Sequence, residues 1–188
     1  MRLVSWAVAL LIVPTLALAQ DTKGYTFVAS YTVFHADNGD DPASNLHGGL
    51  LGVERAIAKA GAIAYRVGGD VGFNAGTFDT PGGVHVNQRI VVVTGGAVVI
   101  IHGQSSAHAF VRGHVGYARD DQHGTYTGVE LGSFHSNGVA SVAGGGVVHR
   151  VNPTTSIRIG VDLVMRRFSG AFGKSLRVAG GLTFGGGR

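Results

Sequence analysis

The 188-residue sequence predicts an all-β fold, an eight-stranded antiparallel up-and-down transmembrane β-barrel preceded by a cleaved signal peptide. Three observations lead to this prediction. Apolar residues alternate with small or polar ones at a period of two, which a strand separates onto opposite faces and a helix mixes. Short turns alternate with longer polar connections, which is typical of a meander whose two ends differ. The polar positions are mostly Gly, Ala and Thr with isolated charges, which suits the narrow interior of a closed sheet.

Composition excludes several other classes of protein. Hydrophobic residues make up 45% of the sequence and charged residues 14%, which excludes general disorder in spite of the 32 glycines. The only unbroken apolar run lies at the N-terminus, so a polytopic helical membrane protein is excluded. The absence of cysteine excludes thiol catalysis, thiolate metal sites and disulfides. Basic residues are scattered singly except for Arg166 and Arg167, so no nucleic-acid partner is predicted.

The N-terminus has the pattern of a secretory signal peptide. Arg2 supplies a positive charge, an apolar stretch of roughly 16 residues follows, and Ala17 and Ala19 form the small-residue cleavage motif. The stretch contains a proline and is shorter than the roughly 20 residues that span a membrane as a helix. We therefore predict export through the Sec pathway, with a signal peptide at residues 1–19 and a barrel domain at residues 20–188.

The first four predicted strands differ in how clearly they alternate. Residues 24–35 are rich in β-branched and aromatic residues, which favours a strand. Residues 47–58 form the weakest predicted strand, because their sequence is also compatible with a helical turn. Residues 62–78 alternate clearly between an apolar and a polar face. Residues 89–102 are apolar on both faces, so a strand is predicted but its orientation is not readable.

The last four predicted strands are more regular. In residues 156–168, Ile157 and Ile159 lie on one face, opposite Arg158 and Asp162. Two further segments alternate as clearly, namely residues 107–119 and 176–184. Residues 139–151 show less contrast, because glycines occupy much of the polar face.

The connections between these strands also fall into two kinds. The short ones carry Gly, Asn or Pro turn chemistry and follow the second, fourth and sixth strands, at residues 59–61, 103–106 and 152–155. The others are mostly longer and polar and follow the odd-numbered strands, at residues 36–45, 79–88, 120–138 and 169–174. This alternation predicts short periplasmic turns and long external loops.

The polar face of the strands indicates which side points inward. A water-facing surface would be about 25–35% charged. Here small residues with single long charged ones predict a lumen, so the apolar face is expected to meet lipid. A soluble lipocalin-like barrel with an apolar ligand inside remains the alternative. We expect a structural network of charges within the lumen, formed by Arg66, Asp70, Arg112, Glu130, Arg150, Arg158, Asp162, Arg166 and Arg177.

The C-terminal quarter of the chain resembles a known family. The run from Ala143 to Val147 (Ala-Gly-Gly-Gly-Val) and the run from Leu176 to Phe184 (Leu-Arg-Val-Ala-Gly-Gly-Leu-Thr-Phe) are similar to the closing strands of small OmpA/OmpX-type outer-membrane β-barrel proteins. Residues 110–118 resemble a middle strand of the same group. The resemblance implies a membrane-inserted barrel with both termini in the periplasm. It also implies an assembly signal at Leu182 and Phe184, although the chain continues beyond the aromatic residue.

The sequence contains nine histidines, which are candidate metal ligands or catalytic residues. They lie on different strands and loops without a zinc-binding motif, so we predict no metal, no cofactor and no catalytic residues. Lipid A deacylases carry a His and a Ser separated by one residue, which places both on one face of a strand. Here His135 and Ser136 are adjacent, and only a loop conformation would bring them together. A lipid A-modifying esterase that uses this pair remains an alternative function.

These observations predict a non-enzymatic, porin-like small barrel of the cell outer membrane, with a lumen filled by side chains. It would act in envelope structure or through its external loops. The expected partners are outer-membrane lipid and lipopolysaccharide, together with periplasmic chaperones and the barrel-assembly machinery during insertion. The protein is expected to be a monomer.

Overall fold

A computed structural model describes residues 24–38, 41–103, 105–168 and 171–185. Eight antiparallel strands form a closed barrel in chain order. They are β1 (Tyr25–Asn38), β2 (Asp41–Ala60), β3 (Ile63–Asp79), β4 (His85–His102), β5 (Ala107–Tyr126), β6 (Val129–Arg150), β7 (Thr155–Phe168) and β8 (Ala171–Gly185). All eight predicted strands are confirmed, including residues 47–58, which lie within β2 and form no helical turn. The predicted signal peptide, with Ala17 and Ala19, lies outside the described residues.

The described residues include no helix that is long and apolar enough to cross a membrane.

The register of the strand pairs tilts the strands around the barrel. Each strand pairs with its neighbour in the chain, and β1 pairs with β8 to close the sheet. Followed once around the barrel, the register that starts at Thr26 returns to β1 at Ala36, ten residues further along. Such a stagger is what closes a sheet of tilted strands.

The alternation of faces agrees with the predicted orientation. Charged residues such as Asp70, Asp162 and Arg177 are buried inside, whereas large apolar residues such as Val115 and Val161 lie exposed on the outer wall. This outer wall is an apolar belt that suits lipid. The structure also orients β4, whose two faces the sequence did not distinguish: its even-numbered residues point inward.

The predicted difference between short turns and long loops is wrong for the longest loop. Residues 120–138 are mostly strand, because β5 continues to Tyr126 and β6 begins at Val129. A two-residue turn joins them, with φ of 47° at Thr127 and 81° at Gly128. Polar side chains do not prevent backbone pairing when both strands lie in water. The end of β5 therefore pairs with the beginning of β6.

The asymmetry of the barrel is therefore one of strand length. β5 has 20 residues and β6 has 22, whereas about 9–11 residues cross a bilayer. The surplus forms a sheet that extends beyond the apolar belt at the end opposite the chain termini. We call it the projecting sheet; it consists of residues 76–79 of β3, 85–89 of β4, 119–126 of β5 and 129–137 of β6.

Candidate functional site

Charged side chains meet at the centre of the lumen. Arg112 of β5 donates from Nε to Asp162 Oδ1 at 2.8 Å and from Nη1 to Asp70 Oδ2 at 3.1 Å. Arg177 of β8 donates from Nε to Asp162 Oδ2 at 2.9 Å, and His114 Nδ1 lies 3.2 Å from Asp70 Oδ2. None of these five side chains is more than 7% exposed. Asp70 also accepts from Thr94 Oγ1 of β4 at 2.9 Å, so each carboxylate binds groups from two strands and links the barrel wall across its interior.

Two smaller ionic groups lie on either side of this centre. Toward the chain termini, Arg158 pairs with Glu54, and Arg66 Nη1 lies 3.8 Å from the same carboxylate. Toward the projecting sheet, Arg166 Nη1 donates to Asp120 Oδ2 at 3.3 Å. Buried charges are tolerated when they are paired in this way, since an unpaired one would lose its hydration without compensation.

Apolar clusters separate the charged groups. Along β5, Asp120 is followed by Ala118 in one apolar cluster, Arg112 in the central network and Phe110 in a second apolar cluster. The first cluster contains Phe34, Ala36, Leu46, Ile90, Val92, Ala118, Ala140, Val142 and Val164. The lumen is thus filled with alternating charged and apolar layers, as the small diameter of an eight-stranded barrel requires.

Most of the residues predicted for the lumen network do lie inside the barrel. These are Arg66, Asp70, Arg112, Arg158, Asp162, Arg166 and Arg177. The prediction is wrong for two others. Glu130 lies on the projecting part of β6 with its side chain 78% exposed, because the strand continues past the barrel. Arg150 is the last residue of β6 and is exposed at the end that carries the chain termini.

Sequence reasoning missed three buried partners in the lumen. Glu54 lies on β2, the predicted strand in which polar and apolar residues alternate least clearly. The signal that could have found it is its two-residue spacing from Gly52, which places both on one face of a strand. Asp120 lies in β5, in a segment that the sequence predicts as a loop. His114 shares a face with Arg112, but spacing along one strand gave no sign that Asp70 would approach it from β3.

A set of basic residues marks the border of the apolar belt on the side of the projecting sheet. On β4, β5, β7 and β8, the outward-facing apolar run ends at an exposed basic residue. We call these four residues the basic collar: Arg89, Arg119, Arg167 and Lys174. On β1, His35 follows Val33 in the same way. Basic groups at this border are suited to the phosphates of lipid headgroups.

The outer face of the projecting sheet carries histidines beside carboxylates. His135 Nδ1 lies 2.7 Å from Asp121 Oδ1, and Arg119 Nε lies 2.9 Å from both oxygens of the same carboxylate. Partial desolvation acts to raise the pKa of Asp121, but the hydrogen bonds from His135 and Arg119 outweigh it and keep that pKa below its usual range. A second such pair joins His85 Nδ1 and Asp79 Oδ1 at 2.7 Å. Within the described residues, no three His, Asp or Glu side chains converge to hold a metal ion.

His135 and Ser136 do not form the catalytic pair of an esterase. Both residues lie in β6, so their side chains point to opposite faces. His135 binds Asp121, and no loop brings Ser136 to it. A different hydroxyl lies beside a histidine on the same sheet: Ser133 Oγ is 3.1 Å from His123 Nδ1, and His123 Nε2 is 3.6 Å from Glu130 Oε1.

Among the residues that the structure describes, no strand lies beside one edge of the projecting sheet. β7 ends at Phe168, which pairs with Gly138, so residues 129–135 of β6 extend past it. We call this segment the β6 edge. Its apolar side chains are open to solvent, with Val129 and Phe134 each 63% exposed and Leu131 59% exposed. An edge strand with free backbone groups is a template for pairing with another chain.

The closed sheet, the apolar belt and the filled lumen define the class of protein: a small outer-membrane β-barrel. Comparison with solved structures confirms this class. The crystal structure of Ail, the attachment invasion locus protein of Yersinia pestis, is similar with a TM-score of 0.61 and 13% identity over 87% of this chain and all of that one. The crystal structure of Neisserial surface protein A gives 0.60 and 12% over 86% of this chain and 97% of that one. At these identities the likeness concerns the fold.

No protein-family model and no curated protein sequence matches the chain.

Proposed function

We propose that the protein is a non-enzymatic outer-membrane barrel that recognises an extended polypeptide at the cell surface through the β6 edge. The observation that carries this proposal is the seven-residue stretch of β6 that pairs with β5 on one side and, among the described residues, has no strand on the other, at the end of the barrel opposite the chain termini. A filled lumen supports it as well, because the interior offers side-chain packing in place of an open channel.

The chemistry of the edge favours strand addition. Backbone N–H and C=O groups along an edge give affinity, and alternate side chains give specificity. Phe134 and Leu131 supply exposed apolar area beside the edge, while the turn at Thr127 and Gly128 holds the hairpin that presents it. The partner expected from this surface is a segment in extended conformation with alternating apolar residues.

The proposal is tested by selecting peptides from a random phage library against the refolded barrel in phospholipid nanodiscs. Selected peptides are expected to have alternating β-branched residues and to protect the amides of residues 129–135 from hydrogen exchange. Phe134→Ser should weaken their binding roughly tenfold, which is the effect of losing one large buried apolar side chain. The control is Phe172→Ser, since Phe172 is 58% exposed but lies on β8, two strands away from β6.

Two results would contradict strand addition. One is that selected peptides protect amides elsewhere and leave the β6 edge unchanged. The other is that Phe172→Ser weakens binding as much as Phe134→Ser does.

We further propose two partners for the membrane-facing parts of the barrel. The basic collar is suited to bind the phosphates of lipopolysaccharide, because guanidinium and ammonium groups stand just beyond the apolar belt. The last strand is suited to the barrel-assembly machinery, because Leu182 faces outward and Phe184 lies two residues further on. Loss of insertion on Phe184→Ser, with normal export to the periplasm, would support the second partner; normal insertion would contradict it.

A second candidate function is the hydrolysis of an ester, favoured by the contact of Ser133 with His123. A histidine that binds a hydroxyl and faces a carboxylate is the arrangement that activates a serine nucleophile. The test is acyl release from lipopolysaccharide by the barrel in nanodiscs, with Ser133→Ala as the variant and Ser105→Ala as the exposed control. Activity that Ser133→Ala abolishes and Ser105→Ala keeps would favour the enzyme; no activity in the parent protein would exclude this candidate.

A further inference from the structure

A groove of about 780 Å³ lies on the outer face of the projecting sheet. It is lined by four neighbouring strands, β3 to β6, and it includes Ser133 and His135 of the β6 edge. The lining residues that carry the argument are Asn87, Arg89, Arg119, His123, Ser133 and His135. The groove begins where the apolar belt ends, because two of these residues also belong to the basic collar.

The charge of the groove is positive at neutral pH. Arg89 is exposed, and the described residues give it no ion-pair or hydrogen-bond partner. Arg119 is held through its Nε by Asp121, the one carboxylate in the lining, and the described hydrogen bonds give its two Nη groups no partner. Two guanidinium groups against one carboxylate give the lining a net charge of +1.

Two histidines also line the groove. His123 faces Ser133 and the exposed Glu130, and His135 faces Asp121. Arg89 of β4 lies in the row of Asp121 and His135, and the other β4 residues in the lining, Asn87 and Gln88, are neutral.

We propose that this groove binds a sugar that carries phosphate or sulfate groups. Guanidinium groups hold such anions through paired N–H donors, and the amide of Asn87 and the hydroxyl of Ser133 suit the sugar hydroxyls. The groove lies directly beyond the apolar belt, so the ligand is either the headgroup of a neighbouring lipopolysaccharide or a soluble anionic saccharide. This site goes beyond the proposed function, because it binds through side chains on the outer face of the sheet, whereas strand addition uses the backbone groups of the β6 edge.

The test is calorimetric titration of the refolded mature chain, in phosphatidylcholine nanodiscs, with inositol hexakisphosphate. We expect inositol hexakisphosphate to bind and uncharged inositol not to bind. Arg89→Gln should weaken binding roughly tenfold, the usual effect of one charge-assisted contact. The matched control is Arg167→Gln, an exposed collar arginine outside the groove, which should leave affinity unchanged.

The proposal is overturned if inositol hexakisphosphate does not bind, if uncharged inositol binds equally well, or if Arg167→Gln loses as much affinity as Arg89→Gln. Because Arg89 lies on β4 and Arg167 on β7, neither variant changes the β6 edge, and a failure here is distinct from a failure of peptide binding.

A last arm identifies the source of the ligand. The titration is repeated in nanodiscs whose lipid includes lipopolysaccharide. If lipopolysaccharide displaces inositol hexakisphosphate from the parent but not from Arg167→Gln, the headgroup is held at Arg167 outside the groove, which assigns the groove to a soluble saccharide. Displacement from both proteins assigns the groove to the headgroup, and undiminished binding in both assigns it to a soluble saccharide.

Discussion

Asp162 holds two guanidinium groups at the centre of the lumen. Its carboxylate accepts from Arg112 and from Arg177, and both arginines are almost fully buried. Asp70 is a second acceptor for Arg112, whereas Asp162 is the only carboxylate that the described ion pairs give to Arg177. At the scale of the residue, one carboxylate therefore determines whether a buried cation is paired.

The first prediction concerns this carboxylate. Asp162→Asn should lower the free energy of unfolding by about 3–5 kcal/mol, because it leaves a buried charge uncompensated. The measurement is urea unfolding of the barrel refolded in lipid. The matched control is Asp79→Asn, since Asp79 is 74% exposed and its pair with His85 should contribute less than about 1 kcal/mol. If both variants lower the free energy of unfolding equally, burial of the ion pair does not determine how much it stabilises the barrel.

The second prediction concerns Asp121 on the projecting sheet. Its pKa is lower in the folded sheet than in an unfolded chain, so its pairing with His135 and Arg119 stabilises the hairpin at neutral pH. That contribution should be lost as the pH falls below about 4, toward the depressed folded pKa. Hydrogen exchange of the amides of β5 and β6, corrected for intrinsic rates, measures it. Asp121→Asn should be less protected at neutral pH and should lack this decline; an identical decline in the variant would contradict the assignment.

At the scale of the element, glycines allow neighbouring strands to approach closely. A Cβ built at Gly146 of β6 would lie 2.0 Å from the carbonyl oxygen of Ile159 on β7, a distance that no side chain can occupy. Gly180 of β8, in contrast, has no atom within 4 Å of the same position. The mid-strand glycines thus serve different purposes on the two faces of one barrel.

The third prediction compares these two glycines. Gly146→Ala should lower the free energy of unfolding by about 1–3 kcal/mol, the usual cost of inserting a methyl group where there is no space, or prevent refolding. Gly180→Ala should change it by less than about 0.5 kcal/mol. Refolding yield and urea unfolding measure both variants. A stable Gly146→Ala barrel would mean that β6 and β7 separate more easily than their backbone contact suggests.

The hairpin of β5 and β6 also marks the limit of element prediction from sequence. Strands were recognised where one face is apolar, since burial against lipid produces the alternation. Residues 120–138 lie beyond the lipid, where neither face needs to be apolar, so the pattern disappears although the backbone still pairs. The placement of Glu130 in the lumen failed for the same reason.

At the scale of the whole molecule, closure of the sheet should make the barrel resist detergent. A closed barrel has no edge within its membrane-crossing part from which unfolding starts. The fourth prediction is that the unheated protein migrates faster than the heated protein in dodecyl sulfate gels, and that it is recovered with the outer-membrane fraction. Recovery in the soluble periplasm without detergent would contradict the membrane orientation of its outer face.

The sequence alone determined the eight strands, their order and which face of most of them meets lipid, because those features depend on a local period of two. It also singled out most of the arginines and aspartates that fill the lumen. Only the tertiary structure decided which of them pair, such as Arg112 with Asp70 and Asp162, since partners lie on strands far apart in the chain. It alone decided the length of the projecting sheet, its free edge and its outer groove. These depend on how far strands extend past one another, and a local pattern contains no measure of that.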